Sequence, residues 1–259
     1  MELSLNNNNS KVDIIMPNYN KADFIEEAIN SVISQTYTNW HLYIIDDFST
    51  DSSIKIIDKF INLKNITVIK LHKNKGPSFC RNYAMRISNS KYISFIDADD
   101  FWDKKKLEKQ IYFMEKNKLN FTYTDFTIIF QKGIKKKIYK KLIRDSFDYK
   151  SFIRNSSINS TSMIISRLIL GTIRFKNIRS EDYLFKCSLL KKNNVAKKLN
   201  ENLMYYRIVD KSRSSQNLKN IYWLWYINKH FNKLNFFENL MSIFFNIINY
   251  FKKYGLKRV

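Results

Sequence analysis

The chain has 259 residues, 44% of them hydrophobic and 15% aromatic, so it can bury a sizeable core and is not disordered along its length. Only 4 Gly and 2 Pro exclude a many-turned β-sandwich and favour long elements joined by modest loops. Lys and Arg total 45 against 23 Asp and Glu, a net charge of +22 that suits nucleic acid, an anionic membrane surface or phosphorylated small molecules; the 2 Cys exclude a disulfide framework.

Residues 1–10 are polar and Asn-rich and read as a disordered lead without the apolar core of a secretory signal. Residues 12–16 form an apolar run stopped by Pro17, the pattern of a buried strand. Residues 22–35 place Ile25, Ile29, Val32 and Ile33 on one helical face, with Asp23, Glu26 and Glu27 in the first turns, where the helix dipole favours acids. Residues 42–45 are a second strand ending at Asp46 and Asp47; Ser49 or Thr50 is expected to cap the next helix, which runs to about residue 61. Residues 66–71 are a third strand, Gly76 and Pro77 open a helix, and residues 92–96 are a fourth strand ending at Asp97.

This alternation predicts an α/β fold with a mainly parallel sheet covered on both faces, in which ligands bind beyond the carboxyl ends of the strands. The polar clusters at 17–20, 46–47, 74–76 and 97–100 fall at those ends. Beyond them, residues 105–117 read as a helix and 121–130 as a strand holding Asp125. Lys132 and Gly133 turn a Lys-rich hairpin arm, 162–165 and 203–208 are strands, and 181–191 is a helix. From residue 217 the chain is helical and aromatic.

Asp97, Asp99 and Asp100 at a strand end repel one another, and a hard divalent cation such as Mg2+ or Mn2+ would relieve that repulsion while sharing substrate phosphates. In an extended segment the spacing of two puts Asp97 and Asp99 on one side. The competing reading is a helix-capping run ending in Asp103.

The string V-D-I-I-M-P-N-Y-N at 12–20, S-Q-T-Y at 34–37 and I-I-D-D-F-S-T-D at 44–51 resemble the opening of the family 2 glycosyltransferases, which have the GT-A fold. N-K-G-P-S at 74–78, Cys80-Arg81-Asn82, Y-I-S-F-I-D-A-D-D at 92–100, S-E-D-Y at 180–183 and Tyr205-Tyr206-Arg207 continue the resemblance in order. It implies a GT-A domain over 11–215, with a nucleotide-sugar-binding half at 11–103 and an acceptor and catalytic half at 104–215, followed by a helical aromatic-basic segment at 216–259.

Carried onto this chain, the resemblance implies that Pro17, Tyr19, Asn20, Asp47, Arg81 and Asp97 contact the nucleotide. It makes Asp99, with Asp97, the ligand of a Mn2+ or Mg2+ cofactor, and Asp182, supported by Glu181, the base that deprotonates an acceptor hydroxyl. Without the family, Asp182 reads as an acid in a helix's first turn, Tyr19 as core, and Arg81 as an ion pair with Asp47 or another acid. The implied reaction is inverting transfer from a nucleotide-diphosphate sugar, with a UDP-sugar as first choice, to a glycan or lipid-linked acceptor in surface-glycan synthesis.

Two departures from the family stand out. Arg174 and Lys176 lie where acceptor contacts are expected and hint at an anionic acceptor, and Val209 replaces a His that many members carry.

Tyr222 to Tyr226, Phe236-Phe237, Phe244-Phe245 and Tyr250-Phe251 lie among lysines, which suits either a helix in the interface of an anionic membrane or a helix packed on the domain's own core. No stretch is long enough to span a bilayer, so a cytoplasmic protein is expected, peripheral at most on the inner membrane's cytoplasmic face. Nucleotidyl transfer on a similar sheet would want a Gly-rich first loop, and residues 17–21 hold no Gly. A non-enzymatic nucleic-acid or membrane binder would leave the acidic cluster unexplained, and no nucleic-acid partner is expected.

Overall fold

The computed structural model describes residues 10–130, 137–138, 144–208 and 217–254. Its first half is β1 (Val12–Asn18), α1 (Ile25–Ile33), β2 (Trp40–Asp46), α2 (Ser53–Ile57), β3 (Ile66–Lys70), α3 (Pro77–Ile87) and β4 (Tyr92–Phe95). These strands pair in parallel in the order β3-β2-β1-β4. Helices on both faces exclude water from β1, whose Val12, Ile14, Ile15 and Met16 are fully buried.

α3 begins with Pro77 in its first turn, as expected. Gly76 before it has φ +83°, a conformation that turns its N–H onto Asp47 Oδ2 at 2.8 Å and that a side chain would strain. α2 is short, and neither Ser49 nor Thr50 caps it. Asp46 holds the Ser49 N–H at 2.9 Å and hydroxyl at 2.6 Å, while Asn20 Oδ1 accepts from Thr50 N at 2.8 Å. The two hydroxyl residues fasten the loop instead.

The second half comprises β5 (Phe101–Trp102), α4 (Lys106–Lys116), β6 (Phe121–Phe130), β7 (Lys137–Ile138), β8 (Ser146–Phe147), α5 (Tyr149–Arg154), β9 (Ile164–Ser166), α6 (Arg167–Leu170), α7 (Glu181–Leu190), β10 (Ala196–Ile208), α8 (Asn217–His230) and α9 (Phe236–Tyr254). Its strands extend the same sheet as β4-β9-β6-β10-β5, with β7 on β6 and β8 on β10. β9 is antiparallel to both neighbours and β6 is parallel to β10, so the sheet is mixed beyond β4.

β10 begins seven residues earlier than its sequence suggests (Ala196 against 203). Lys197, Lys198, Asn200 and Glu201 disguise it, and Lys198 is buried with its ammonium 3.4 Å from both Asp125 and Asp145. That pairing makes Asp125 structural. Residues 1–9, the hairpin arm at Lys132 and Gly133, and Val209 lie outside the described residues. Ser10 already belongs to the fold, donating to Glu115 at 2.9 Å and accepting from the Tyr37 hydroxyl at 2.6 Å.

Candidate active site

Beyond the carboxyl ends of β1, β2 and β4 the chain arranges a connected set of carboxylates. Asp47, just past β2, is buried and accepts from Lys75 N at 2.7 Å as well as from Gly76 N. It thereby fixes the entry to α3 and the position of Arg81 one turn further on. Asn18, at the end of β1, is buried and donates to Asp46 at 2.7 Å, a contact the sequence reading missed. Pro17 is half-buried in β1, Tyr19 is 47% exposed rather than core, and Asn20 has φ +51° at the lip of the same loop.

The acidic run is a turn, not a strand. Asp100 N donates to Asp97 O at 3.0 Å, so the alternation expected to put Asp97 and Asp99 on one side does not apply. Asp97 accepts from Arg81 at 2.8 Å, and Asp99 from the Lys21 ammonium at 2.6 Å. Asp100 turns inward, where Thr161 Oγ1 donates to it at 2.8 Å and Arg207 N at 3.0 Å. Burial, and then the charges of Asp99 and Asp97, raise the Asp100 carboxyl well above the ordinary carboxylate range.

Arg207 also donates from Nε to Asp99 O at 3.0 Å and pairs with Glu27. It locks the turn to β10 and α1, a role that only assembly of the sheet reveals. The capping reading holds for Asp103 alone, whose Oδ1 accepts from Lys105 N at 2.9 Å at the entry to α4, while Gln35 Oε1 accepts from Leu107 N at 2.9 Å in its first turn.

Arg81 is the hub. Its guanidinium is buried and donates to Asp97 and, at 3.0 Å, to Glu181 at the start of α7. It lies 5.2 Å from the ring of Phe175, which stacks on Phe185 with centroids 3.9 Å apart. Burial opposes its charge, but Asp97 and Glu181 outweigh that and strengthen its hold on the proton. Asp182 follows Glu181 and points into the cleft with its side chain 42% exposed.

Lys186, one turn along α7 and nearly inaccessible, donates to Asp182 Oδ2 at 2.8 Å and to Ile158 O at 2.7 Å. Burial raises the Asp182 carboxyl, but Lys186 first and Arg81 after it outweigh burial and hold it below the ordinary 3.8. The sequence did signal Lys186, as a lysine four residues after an acid on a helix.

Asp97, Arg81, Glu181 and Asp182 open onto one cleft of ≈ 340 Å³, which Ser156 to Ser160, Arg179 and Tyr206 also line. Arg174 is not among its lining and instead donates to Gly171 O and Ile173 O; Arg81 and Arg179 are the arginines at the cleft. Among the described residues no group of three or more His, Cys, Asp or Glu forms a metal nest. The donors do fit a hard cation that takes one or two carboxylates and completes its shell from substrate phosphates and water. Asp97 and Asp99 are such donors, and Asp99 already holds one cationic group, the ammonium of Lys21.

The chain matches the model of Glycosyl transferase family 2 over residues 13–174. It is 34% identical over 231 residues to the putative teichuronic acid biosynthesis glycosyltransferase TuaG of Bacillus subtilis, covering 88% of this chain and 90% of that one. It is 32% identical over 244 residues to the UDP-Glc:alpha-D-GlcNAc-diphosphoundecaprenol beta-1,3-glucosyltransferase WfgD of Escherichia coli, covering 92% and 91% of the two chains. Among solved structures, the mannosyltransferase PcManGT of Pyrobaculum calidifontis, in complex with GDP-Man and Mn2+, superposes with a TM-score of 0.70 at 13% identity, covering 93% of this chain and 71% of that one. With the strand-end carboxylates, the cleft and these likenesses together, the chain is a glycosyltransferase of the GT-A fold and belongs to glycosyl transferase family 2.

Proposed function

We propose that the protein transfers a sugar, with inversion, from a nucleoside-diphosphate donor to a hydroxyl of a lipid-linked glycan during surface-glycan synthesis, using a UDP-sugar first among donors. The carrying observation is that one cleft gathers Asp97, beyond the end of β4 and held by Arg81, and Asp182, in the first turn of α7. The relatives TuaG and WfgD, named for teichuronic acid synthesis and for a UDP-Glc donor with a diphosphoundecaprenol-linked acceptor, support the process and both substrates.

In this reading Pro17, Tyr19, Asn20 and Asp47 frame the nucleoside, while Asp97 and Asp99 would hold Mn2+ or Mg2+ against the diphosphate. A bound cation there neutralises the charge that builds on the leaving diphosphate. Arg81 holds Asp97 in place, because its own position is fixed by Glu181 and the aromatic floor. Asp182 accepts the acceptor hydroxyl proton. The freed oxygen then attacks the anomeric carbon from the face opposite the diphosphate, whose bond to that carbon breaks with its electron pair. Lys186 stabilises the ionised form of Asp182, so the base is ready across the physiological range.

Donor hydrolysis with a panel of UDP-, GDP- and dTDP-sugars, with and without Mn2+, tests the proposal. Mn2+-dependent release of a nucleoside diphosphate from one donor class is expected. Absence of both turnover and binding for every donor would overturn it.

A further inference from the structure

α9 is built inside out. Its polar residues turn toward the body: Asn239 Nδ2 donates to Trp225 O at 3.1 Å, Ser242 Oγ to Ile153 O at 2.5 Å, Asn246 Nδ2 to Ile153 O at 2.7 Å and Asn249 Nδ2 to Arg154 O at 3.2 Å. Asn239 and Ser242 are buried. On the opposite side Phe237, Leu240, Met241, Phe244 and Phe251 recur at helical steps and are 75%, 49%, 42%, 54% and 37% exposed. A helix that only closes a core shows the reverse arrangement. Scattered exposed apolar residues need no explanation, but a continuous stripe along one helix marks an interaction surface.

The surroundings select the occupant. After Glu238, whose carboxylate accepts from Asn235 N at 3.0 Å in the cap of α9, the helix sequence contains no acid, and Lys252 and Lys253 follow near its end. Lys229 and Lys233 are exposed at the turn between α8 and α9. An aromatic stripe bordered by lysines complements a surface that is apolar in depth and anionic at its boundary, which is a lipid interface. Among the described residues no helix is long and apolar enough to cross a membrane, so α9 would lie in the plane.

The inward face of α9 also reaches the cleft. Asn246 Oδ1 accepts from Ser156 N at 3.0 Å and from its hydroxyl at 2.9 Å, and Ser156 begins the segment that lines the cleft beside Asp182. The apolar stripe and the cleft wall thus flank one helix, about 10 Å thick.

We infer that α9 docks on an anionic membrane through the Phe237–Leu240–Phe244–Phe251 stripe, which holds the cleft wall about one helix thickness from the lipid surface. Use of that position for a membrane-held acceptor rests on the glycosyl-transfer reading; the docking itself does not. Deleting α8 and α9 would be a poor test, because Ile227 is buried in the core and Asn228 accepts from Tyr183 Oη at 2.7 Å. The double substitution Phe237→Glu/Phe244→Glu alters only exposed positions. Full-length wild type and variant are floated with vesicles of phosphatidylglycerol and phosphatidylcholine or of phosphatidylcholine alone, with circular dichroism confirming equal folding.

Wild type is expected to float with the anionic vesicles and to dissociate as salt rises. The variant should bind at least tenfold more weakly while hydrolysing soluble donor as before. Wild type left in the bottom fraction, or a variant that floats equally, overturns the inference. A wild-type dimer that the variant converts to monomer, without flotation of either, assigns the stripe to a second copy and overturns it too. Flotation without any donor hydrolysis would count against the reaction while leaving the docking surface standing.

Discussion

Lys186 Nζ lies 2.8 Å from Asp182 Oδ2 across one turn of α7, and its other contacts, with Ile158 O and Ser160 Oγ, fix it at the floor of the cleft. Because Asp182 is held below the ordinary 3.8 chiefly by this ammonium working against burial, the acid limb of kcat/KM contributed by Asp182 should lie below that value. Removing the cation removes the stabilisation of the charged form, so K186M should move the limb upward. A pH profile of donor turnover for wild type and K186M measures the shift; an unmoved limb would separate Lys186 from the base.

Arg81 joins Asp97 to Glu181, and both Arg81 and Glu181 are nearly inaccessible, 6% and 7% exposed at their side chains. R81M would leave the Glu181 carboxylate buried without its ion pair and should cost about 3–5 kcal/mol of stability. Adding E181Q removes the stranded charge and should recover part of that loss, while activity stays low because Asp97 has lost its partner. Urea unfolding of the single and double variants checks the sign of the coupling.

Asp99 carries the Lys21 ammonium at 2.6 Å, in the position a divalent cation would claim. On the proposed metal role of Asp99, Lys21 and the cation would compete for one carboxylate. K21M should bind Mn2+ more tightly in the presence of UDP, and D99N more weakly, each by about tenfold. Free Mn2+ counted by electron paramagnetic resonance reads both directly, without relying on turnover.

Much of this was legible in the residues. The strands up to β4 are apolar runs, buried throughout in β4 and nearly so in β1 but only at Ile66 in β3, and the polar clusters at their ends announce the ligand side of the sheet. The parts that were not legible depend on partners distant in sequence. β10 hides behind lysines because Lys198 is neutralised by Asp125 and Asp145, residues on other strands. β5 and β8 are two residues each and carry no periodicity. Asp97 and Asp99 looked like neighbours on one strand face because a turn and a strand end share the same D-x-D letters; the hydrogen bond from Asp100 N to Asp97 O decides between them. The expectation for residues 216–259 offered membrane or core as alternatives; α8 buries Ile227 in the core, whereas α9 leaves Phe237, Leu240, Met241, Phe244 and Phe251 exposed.

Lys106 is fully buried above the Trp102 ring at 4.1 Å, and among the described residues its ammonium has no hydrogen-bond acceptor. Burial lowers its pKa well below the ordinary 10.5. The unfolded chain then binds the proton more tightly than the folded one, so stability rises with pH towards the ordinary lysine value. K106M, which keeps the volume and removes the charge, should stabilise the protein by on the order of 1 kcal/mol near neutral pH and flatten that rise. Thermal unfolding at several pH values measures both effects.

The central claim is that Asp182 is the base and that the carboxylates at the end of β4 serve the donor. Turnover and UDP binding, compared for wild type and Asp182→Asn with Mn2+ and whichever donor the wild type uses, test it most directly. Turnover should fall by at least about 100-fold while UDP affinity stays within about twofold. Turnover near the wild-type rate in Asp182→Asn, or a loss of UDP binding equal to the loss of rate, would contradict it.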